Sequence, residues 1–205
     1  MTLRIQRKTE KGRNALVYVD DHCVGTLPVK VLPPYVIEGR ELKAQPWQID
    51  ELLNLIKNQA RDTLLDYLAK AEHSEWQSRE LLKRHRFGDI LIDELIAYCK
   101  EHSFIDDARF AEIYIRSWLN RGTGKRLLIS KLYEQRIAPA IWQPILAELY
   151  DRDEAQDSLA SQMRAYISRQ KDISSQKLKD KVFSHFIRKG FDLDQIAQAW
   201  TRREE

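Results

Sequence analysis

The residues best placed to do chemistry are four cations around a glycine turn. Arg116, Arg121, Lys125 and Arg126 straddle Gly122-Thr123-Gly124. Gly122 fits the position just past a helix end, and Thr123 or Gly124 would leave backbone N–H groups at the start of the next helix. Backbone donors and four positive side chains at one junction could hold an anion or a phosphate. The same residues could equally form a solvated charged turn. From Ile113 to Tyr133 there is no acid, and Arg116, Arg121, Lys125, Arg126 and Lys131 give the stretch a charge of +5. Other segments are also one-sided. Residues 79–86 carry Arg79, Lys83, Arg84 and Arg86 against Glu80, and residues 164–189 carry Lys177, Lys181, Arg188, Lys189 and four more cations against Asp172 and Asp180. The N-terminus adds Arg4, Arg7, Lys8, Lys11 and Arg13 against Glu10. Cationic helices at recurring places predict a basic stripe, which suits duplex or filament DNA, or an acidic protein groove.

Catalytic patterns are missing from the sequence. It holds no G-x-x-x-x-G-K-[ST], G-x-G-x-x-G, G-x-S-x-G or H-E-x-x-H. His22, His73, His85, His102 and His185 never fall three to five residues apart, as metal ligands on one helical face would. There is no Glu-x-x-His of the di-iron bundles either. Asp106-Asp107 reads as an N-cap and a favourable charge at a helix start, and Asp20-Asp21 as a turn between strands. Cys23, beside His22, lies in an apolar run and reads as core. No enzymatic activity, metal or cofactor is expected.

Elements that must position the cations follow from composition and periodicity. A chain of 205 residues with 43% hydrophobic and 32% charged residues can build a core, and 7 Gly with 6 Pro favour long helices. The 34 Lys and Arg nearly balance the 31 Asp and Glu, leaving +3. Two cysteines without a C-x-x-C make no disulfide framework or zinc ribbon. No apolar run approaches the ~20 residues a bilayer needs, and Met1-Thr2-Leu3-Arg4 opens no signal peptide. A cytoplasmic protein is expected, with no membrane contact.

Residues 1–45 are β-rich. Ala15–Val19 and Cys23–Leu27 flank Asp20-Asp21-His22 as a hairpin, and residues 3–8 supply a third strand. Pro28, Pro33, Pro34 and Pro46 mark the break before the helical part. Beyond it the pattern is helical, over 47–71, 75–85, 89–101, 106–120, 123–135, 139–150, 153–170, 174–188 and 192–203. These helices repeat. With Phe87, Ile137 and Phe191 aligned, Leu82, Leu132 and Phe186 stand five residues earlier, and Ile92, Trp142 and Ile196 five later. At plus eight come Leu95, Ile145 and Ala199, and at plus nine Ile96, Leu146 and Trp200. A period of about fifty residues built only of helices implies an array. The expected fold is mainly α: three tandem three-helix repeats (46–102, 103–150 and 151–205) in an elongated, curved array, with a small N-terminal β extension over 1–45.

Phe104-Ile105-Asp106-Asp107-Ala108-Arg109-Phe110-Ala111, followed by Tyr114-Ile115-Arg116-Ser117, Gly122-x-Gly124, Leu132 and Ile137, resembles the central signature of the RecX regulatory proteins. His73-Ser74 before the basic helix 75–86 resembles that family's first repeat, and Lys181-Val182-Phe183 with Phe186-Ile187-Arg188-Lys189-Gly190-Phe191 its third. The likeness covers about 65–200. Several positions depart from the family pattern. Its usual glycines before Phe87, Phe104 and Ile137 are Arg86, Ser103 and Arg136 here, and its frequent Pro after Gly124 is Lys125. An Arg or Lys is usual near Trp118.

The resemblance implies a non-enzymatic modulator of the RecA recombinase. Such proteins bind the RecA–DNA filament along its groove and inhibit ATP hydrolysis, strand exchange and the coprotease activity behind the SOS response. The contact set implied here is Arg79, Lys83, Arg84, Arg109, Arg116, Arg121, Gly122, Gly124, Lys125, Arg126, Lys131, Lys177, Lys181, Arg188 and Lys189. Arg109 either faces the partner or pairs with Asp106 or a neighbouring acid to orient its helix, and Phe110 reads as core. The partners expected are the RecA filament and DNA, the latter within the filament or weakly alone, and the chain is expected to be a monomer. Competing classes are a stand-alone DNA-binding helical protein and a helical protein–protein scaffold.

Overall fold

A computed structural model describes residues 1–7, 9, 12–170 and 175–202. Lys8, Glu10, Lys11, Lys171 and Asp172 of the charge map, and Ser174 at an expected helix start, lie outside the described residues.

The N-terminal strands are β1 (Thr2–Arg7), β2 (Asn14–Val19), β3 (His22–Pro28) and β4 (Glu41–Lys43), in one antiparallel sheet of order β3-β2-β1-β4. The expected hairpin is present. Asp20 and Asp21 both take left-handed φ, 45° and 62°, the geometry of the two-residue turn whose twist matches its strands. β4 is not legible in the sequence, because three residues with a single apolar side chain at Leu42 carry no alternation signal. The sheet buries Leu3, Ile5, Ala15, Val17 and Leu27 on one face. Opposite lies α1 (Pro46–Leu68), whose Ile49, Leu52, Ile56, Ala60 and Leu64 recur every three or four residues and are all buried. Pro46 occupies its first turn, where a missing N–H costs nothing.

Helices α2 (Glu75–Arg84) and α3 (Asp89–Glu101) add Leu82, Phe87, Ile92, Leu95, Ile96 and Cys99 to that same core. Thr26 of β3 donates its hydroxyl to the His85 carbonyl at 2.5 Å, fastening the sheet's edge strand to the end of α2. Together these elements form one compact unit, Met1–Asp106.

The second unit, Asp107–Glu205, contains two three-helix groups. The first is α4 (Asp107–Asn120), α5 (Lys125–Glu134) and α6 (Pro139–Leu149), around Phe110, Ala111, Ile115, Leu128, Leu132, Ile137, Trp142 and Leu146. The second is α7 (Arg152–Ile167), α8 (Ser175–Arg188) and α9 (Leu193–Thr201), around Leu159, Met163, Val182, Phe186, Phe191, Ile196 and Trp200. The repeat read from the sequence shows in the burial. Leu82, Leu132 and Phe186 are all buried, as are Phe87, Ile137 and Phe191 and the trio Ile92, Trp142 and Ile196. The residue before each of Phe87, Ile137 and Phe191 takes a left-handed φ: Arg86 at 64°, Arg136 at 55° and Gly190 at 89°.

Candidate partner-binding junction

The glycine turn joins the two helical groups of the second unit. At the end of α4, Gly122 adopts φ 64°, its N–H donates to the Leu119 carbonyl at 2.8 Å, and the Thr123 N–H reaches back to the Trp118 carbonyl at 3.3 Å. That is a left-handed helix stop of the kind glycine favours. The Gly124 N–H then donates to the Lys189 carbonyl at 2.9 Å, and the Arg126 N–H to the Gly190 carbonyl at 3.1 Å. The free N–H groups at the start of α5 thus meet the free carbonyls after α8, so two helix ends satisfy one another. The opposite partial charges of those ends add to the attraction. A Cβ at Gly124 would fall far inside contact distance of the Gly190 carbonyl group and the Phe191 nitrogen. Only glycine lets the backbones approach so closely.

This geometry corrects one expectation. The donors of Gly122, Thr123, Gly124 and Arg126 do not open toward an incoming anion; each already has a carbonyl partner within the chain. The two glycines act in a joint, and the positive charge of the junction resides in side chains.

Those side chains stay at the surface. Arg116 pairs with Glu112 one turn away at 2.9 Å while remaining 57% exposed. Arg121 lies 5.2 Å over the Trp118 ring, at the end of a ladder in which Phe110, Tyr114 and Trp118 follow at centroid spacings of 5.5 and 6.0 Å. Phe110 is buried, as its apolar spacing implied. The Lys125 ammonium sits 5.1 Å over Tyr150, and Arg126 lies 3.9 Å from the Asp192 carboxylate while 67% exposed. These contacts orient the cations without burying them, and exposed pairs of this kind add little stability.

A family model described as the second three-helix domain of RecX matches residues 106–143, which hold α4, the glycine turn, α5 and the start of α6. A regulatory protein RecX from Finegoldia magna is 29% identical over 151 residues, 72% of this chain and 73% of that one. One from Vibrio parahaemolyticus is 24% identical over 151 residues, 71% of this chain and 92% of that one. A crystal structure of regulatory protein RecX superposes with a TM-score of 0.66 at 18% identity, covering 98% of both chains. The chain is similar to the RecX regulatory proteins. A crystal structure of RecX from Lactobacillus salivarius shares the fold as well, with a TM-score of 0.63 and 20% identity over 71% of this chain and 95% of that one.

The remaining site residues divide by partner. On α8, Lys177, Lys181 and Arg188 are exposed and make no ion pair among the described residues. Lys189 is half-buried and gives its ammonium to the Gln162 side chain of α7. Nearby, burial and the charges of Lys189 and Arg188 push the His185 imidazole below its usual pKa, favouring the neutral ring that stacks on Tyr166 at 4.3 Å. Lys131 is tied to Glu134 at 2.7 Å. Arg109 is half-buried in the first turn of α4.

In the first unit, Arg79 bridges Glu75 of its own helix at 2.8 Å and Asp93 of α3 at 2.6 Å, and Lys100 holds the other Glu75 oxygen at 2.7 Å. Burial alone would push the Glu75 carboxyl up, but the hydrogen bonds from Lys100 and Arg79 outweigh it and hold the group below its ordinary value. Arg79 therefore fastens α2 to α3. Lys83 and Arg84 are exposed on α2. Among the described residues, no three His, Cys, Asp or Glu side chains are grouped to hold a metal ion, and no helix is long and apolar enough to cross a membrane.

Sequence reasoning missed two residues. Arg152, the first residue of α7, joins Lys125 and Arg126 along a cleft also lined by Tyr150, Asp192 and Asp194. Its position is a signal only once α7 is known to start beside α5. Gln162 is the other, an uncharged residue on an amphipathic helix, where nothing in the spacing sets it apart.

Proposed function

We propose that this chain binds the RecA–DNA filament and restrains its turnover, acting in the cytoplasm as a non-enzymatic monomer. One observation carries the reading: exposed cations stand on both sides of a backbone-locked joint, Lys125 and Arg126 on α5, Lys181 and Arg188 on α8. A surface of this kind can meet phosphates or acidic side chains in a fixed pattern. Arg116 and Arg121, at the other end of the turn, extend it. Contacts to more than one RecA subunit would oppose the cyclic rearrangement that ATP hydrolysis and strand exchange require, and the coprotease activity would fall with them. The named relatives are regulatory proteins, which agrees with a regulatory role exercised through a protein partner.

The test is a titration of RecA's single-stranded-DNA-dependent ATP hydrolysis with the native chain and with the Arg116/Arg121/Lys125/Arg126→Glu variant. Substoichiometric inhibition that charge reversal abolishes is the expected result. If the four cations meet four phosphates, DNA binding falls with salt at a log–log slope of about −3.6, from about −0.9 per contact. A slope near zero would assign them to RecA itself. Tight, sequence-selective binding to naked duplex, with no effect on RecA, would replace this reading with stand-alone DNA binding.

A further inference from the structure

Gln162 has no part in the charge map, yet the two sides of the joint meet on it. From α7 its Nε2 donates to the Gly122 carbonyl and to the Ser158 hydroxyl, each at 3.1 Å, and its Oε1 accepts from the Lys189 ammonium. Both polar atoms of the amide are engaged, in a half-buried side chain. A Cβ at Gly122 would collide with Nε2, so the amide lies directly on the turn. The backbone bonds from Gly124 and Arg126 to Lys189 and Gly190 cross the joint beside it. The amide adds a side-chain bridge across the same joint. It ties the carbonyl on the α5 side to α7 and, through Lys189, to the α8 side.

We propose that Gln162 is a positioning residue and that Lys189 is its partner rather than a contact for the filament. The pair clamps the Gly122–Gly124 turn onto the α8–α9 turn and so fixes the separation between the α5 cations Lys125 and Arg126 and the α8 cations Lys181 and Arg188. The consequence for RecA rests on the proposed filament binding; the clamp itself does not.

Amide hydrogen exchange of the full chain tests the clamp directly. Gln162→Leu and Lys189→Met should each speed exchange at Gly124 and Arg126 by about tenfold, the scale of one lost hydrogen bond. Exchange at Leu159, Val182 and Ile196 should stay as it is. Gln162→Glu keeps an acceptor for Lys189 but cannot donate to Gly122, and should loosen Gly124 as well. Unchanged exchange at Gly124 and Arg126 in all three variants would overturn the proposal.

Binding of the chain to the RecA–DNA filament, measured against salt, gives the second arm. A lysine on a phosphate contributes about 0.9 to the slope. Lys189→Met should weaken filament binding with the slope intact, and a slope shallower by that amount would make Lys189 a phosphate contact and refute its assignment. Failure of the native chain to act on RecA would remove the proposed function, while the exchange result would still decide the clamp.

Discussion

Gly124→Ala is the sharpest test of the joint. The added methyl would sit inside contact distance of the Gly190 carbonyl carbon and oxygen and of the Phe191 nitrogen, all backbone atoms that cannot swing aside as a side-chain tip can. Restoring ordinary contact, 3.4 Å or more, requires the two turns to part by about 1 Å, beyond what hydrogen bonds near 3 Å tolerate. The Gly124–Lys189 and Arg126–Gly190 bonds, now 2.9 and 3.1 Å, would both break. Two hydrogen bonds at about 1 kcal/mol each, with about 1–3 kcal/mol for overpacking where relaxation is incomplete, give a loss of roughly 3–5 kcal/mol. Gly88→Ala is the control. Gly88 also precedes a helix, with φ −69°, and a Cβ there meets nothing within 4 Å. Its change should stay within about 0.5 kcal/mol. Urea denaturation read by far-ultraviolet circular dichroism, with amide exchange assigning the loss to the second unit, measures both. If Gly124→Ala costs no more than Gly88→Ala, the close approach of the turns is wrong, and with it the reason glycine stands at 124.

Three further outcomes follow from the packing. Arg86→Gly and Arg136→Gly each relieve a left-handed residue bearing a Cβ and should raise stability by about 0.5–1 kcal/mol, seen as a higher Tm. Thr26→Val keeps the shape but removes the donor to the His85 carbonyl, and should cost about 1 kcal/mol in the denaturation midpoint of the first unit. Glu75 has a folded pKa below its unfolded one, so its contribution is present above the ordinary value of 4.5 and disappears as the pH falls through the lowered value. The Glu75→Gln variant should therefore lose less stability than the native chain between neutral pH and that acid range, measured by Tm against pH.

Much of this architecture is legible before any coordinates, for definite reasons. Helix limits such as Asp89–Glu101 and Pro139–Leu149 fall within a residue or so of those expected, because apolar spacing, Pro139 at a first turn and glycine or left-handed stops all agree. The stop at Gly122 was legible in the same way. The fate of the N–H groups after it was not, because their acceptors, Lys189 and Gly190, lie more than sixty residues further along the chain and sequence spacing says nothing about such pairs. Arg79 shows the same limit in the charge map. A cation in a basic helix looks available until Asp93, fourteen residues on, proves to be its partner. Local periodicity records which face of a helix is buried, and it does not record which helix end meets which.

The three equivalent left-handed turns show how that long-range contact feeds back on local residue choice. Arg86 and Arg136 are exposed and carry a cation in a backbone conformation that disfavours any side chain. The strain at each is of the order of 1 kcal/mol, small enough for a marginally stable domain to carry. At the third turn the same strain argument would permit an arginine, but a second constraint applies. A Cβ at Gly190 would collide with the backbone nitrogen and Cβ of Leu127 at the start of α5, because that turn is the one on which the joint closes. The turn before Phe87 is contacted as well, by the Thr26 and Cys23 side chains of β3 on its carbonyls, and Arg86 stays exposed there. Closure of backbone on backbone, and not contact as such, is what requires glycine at 190.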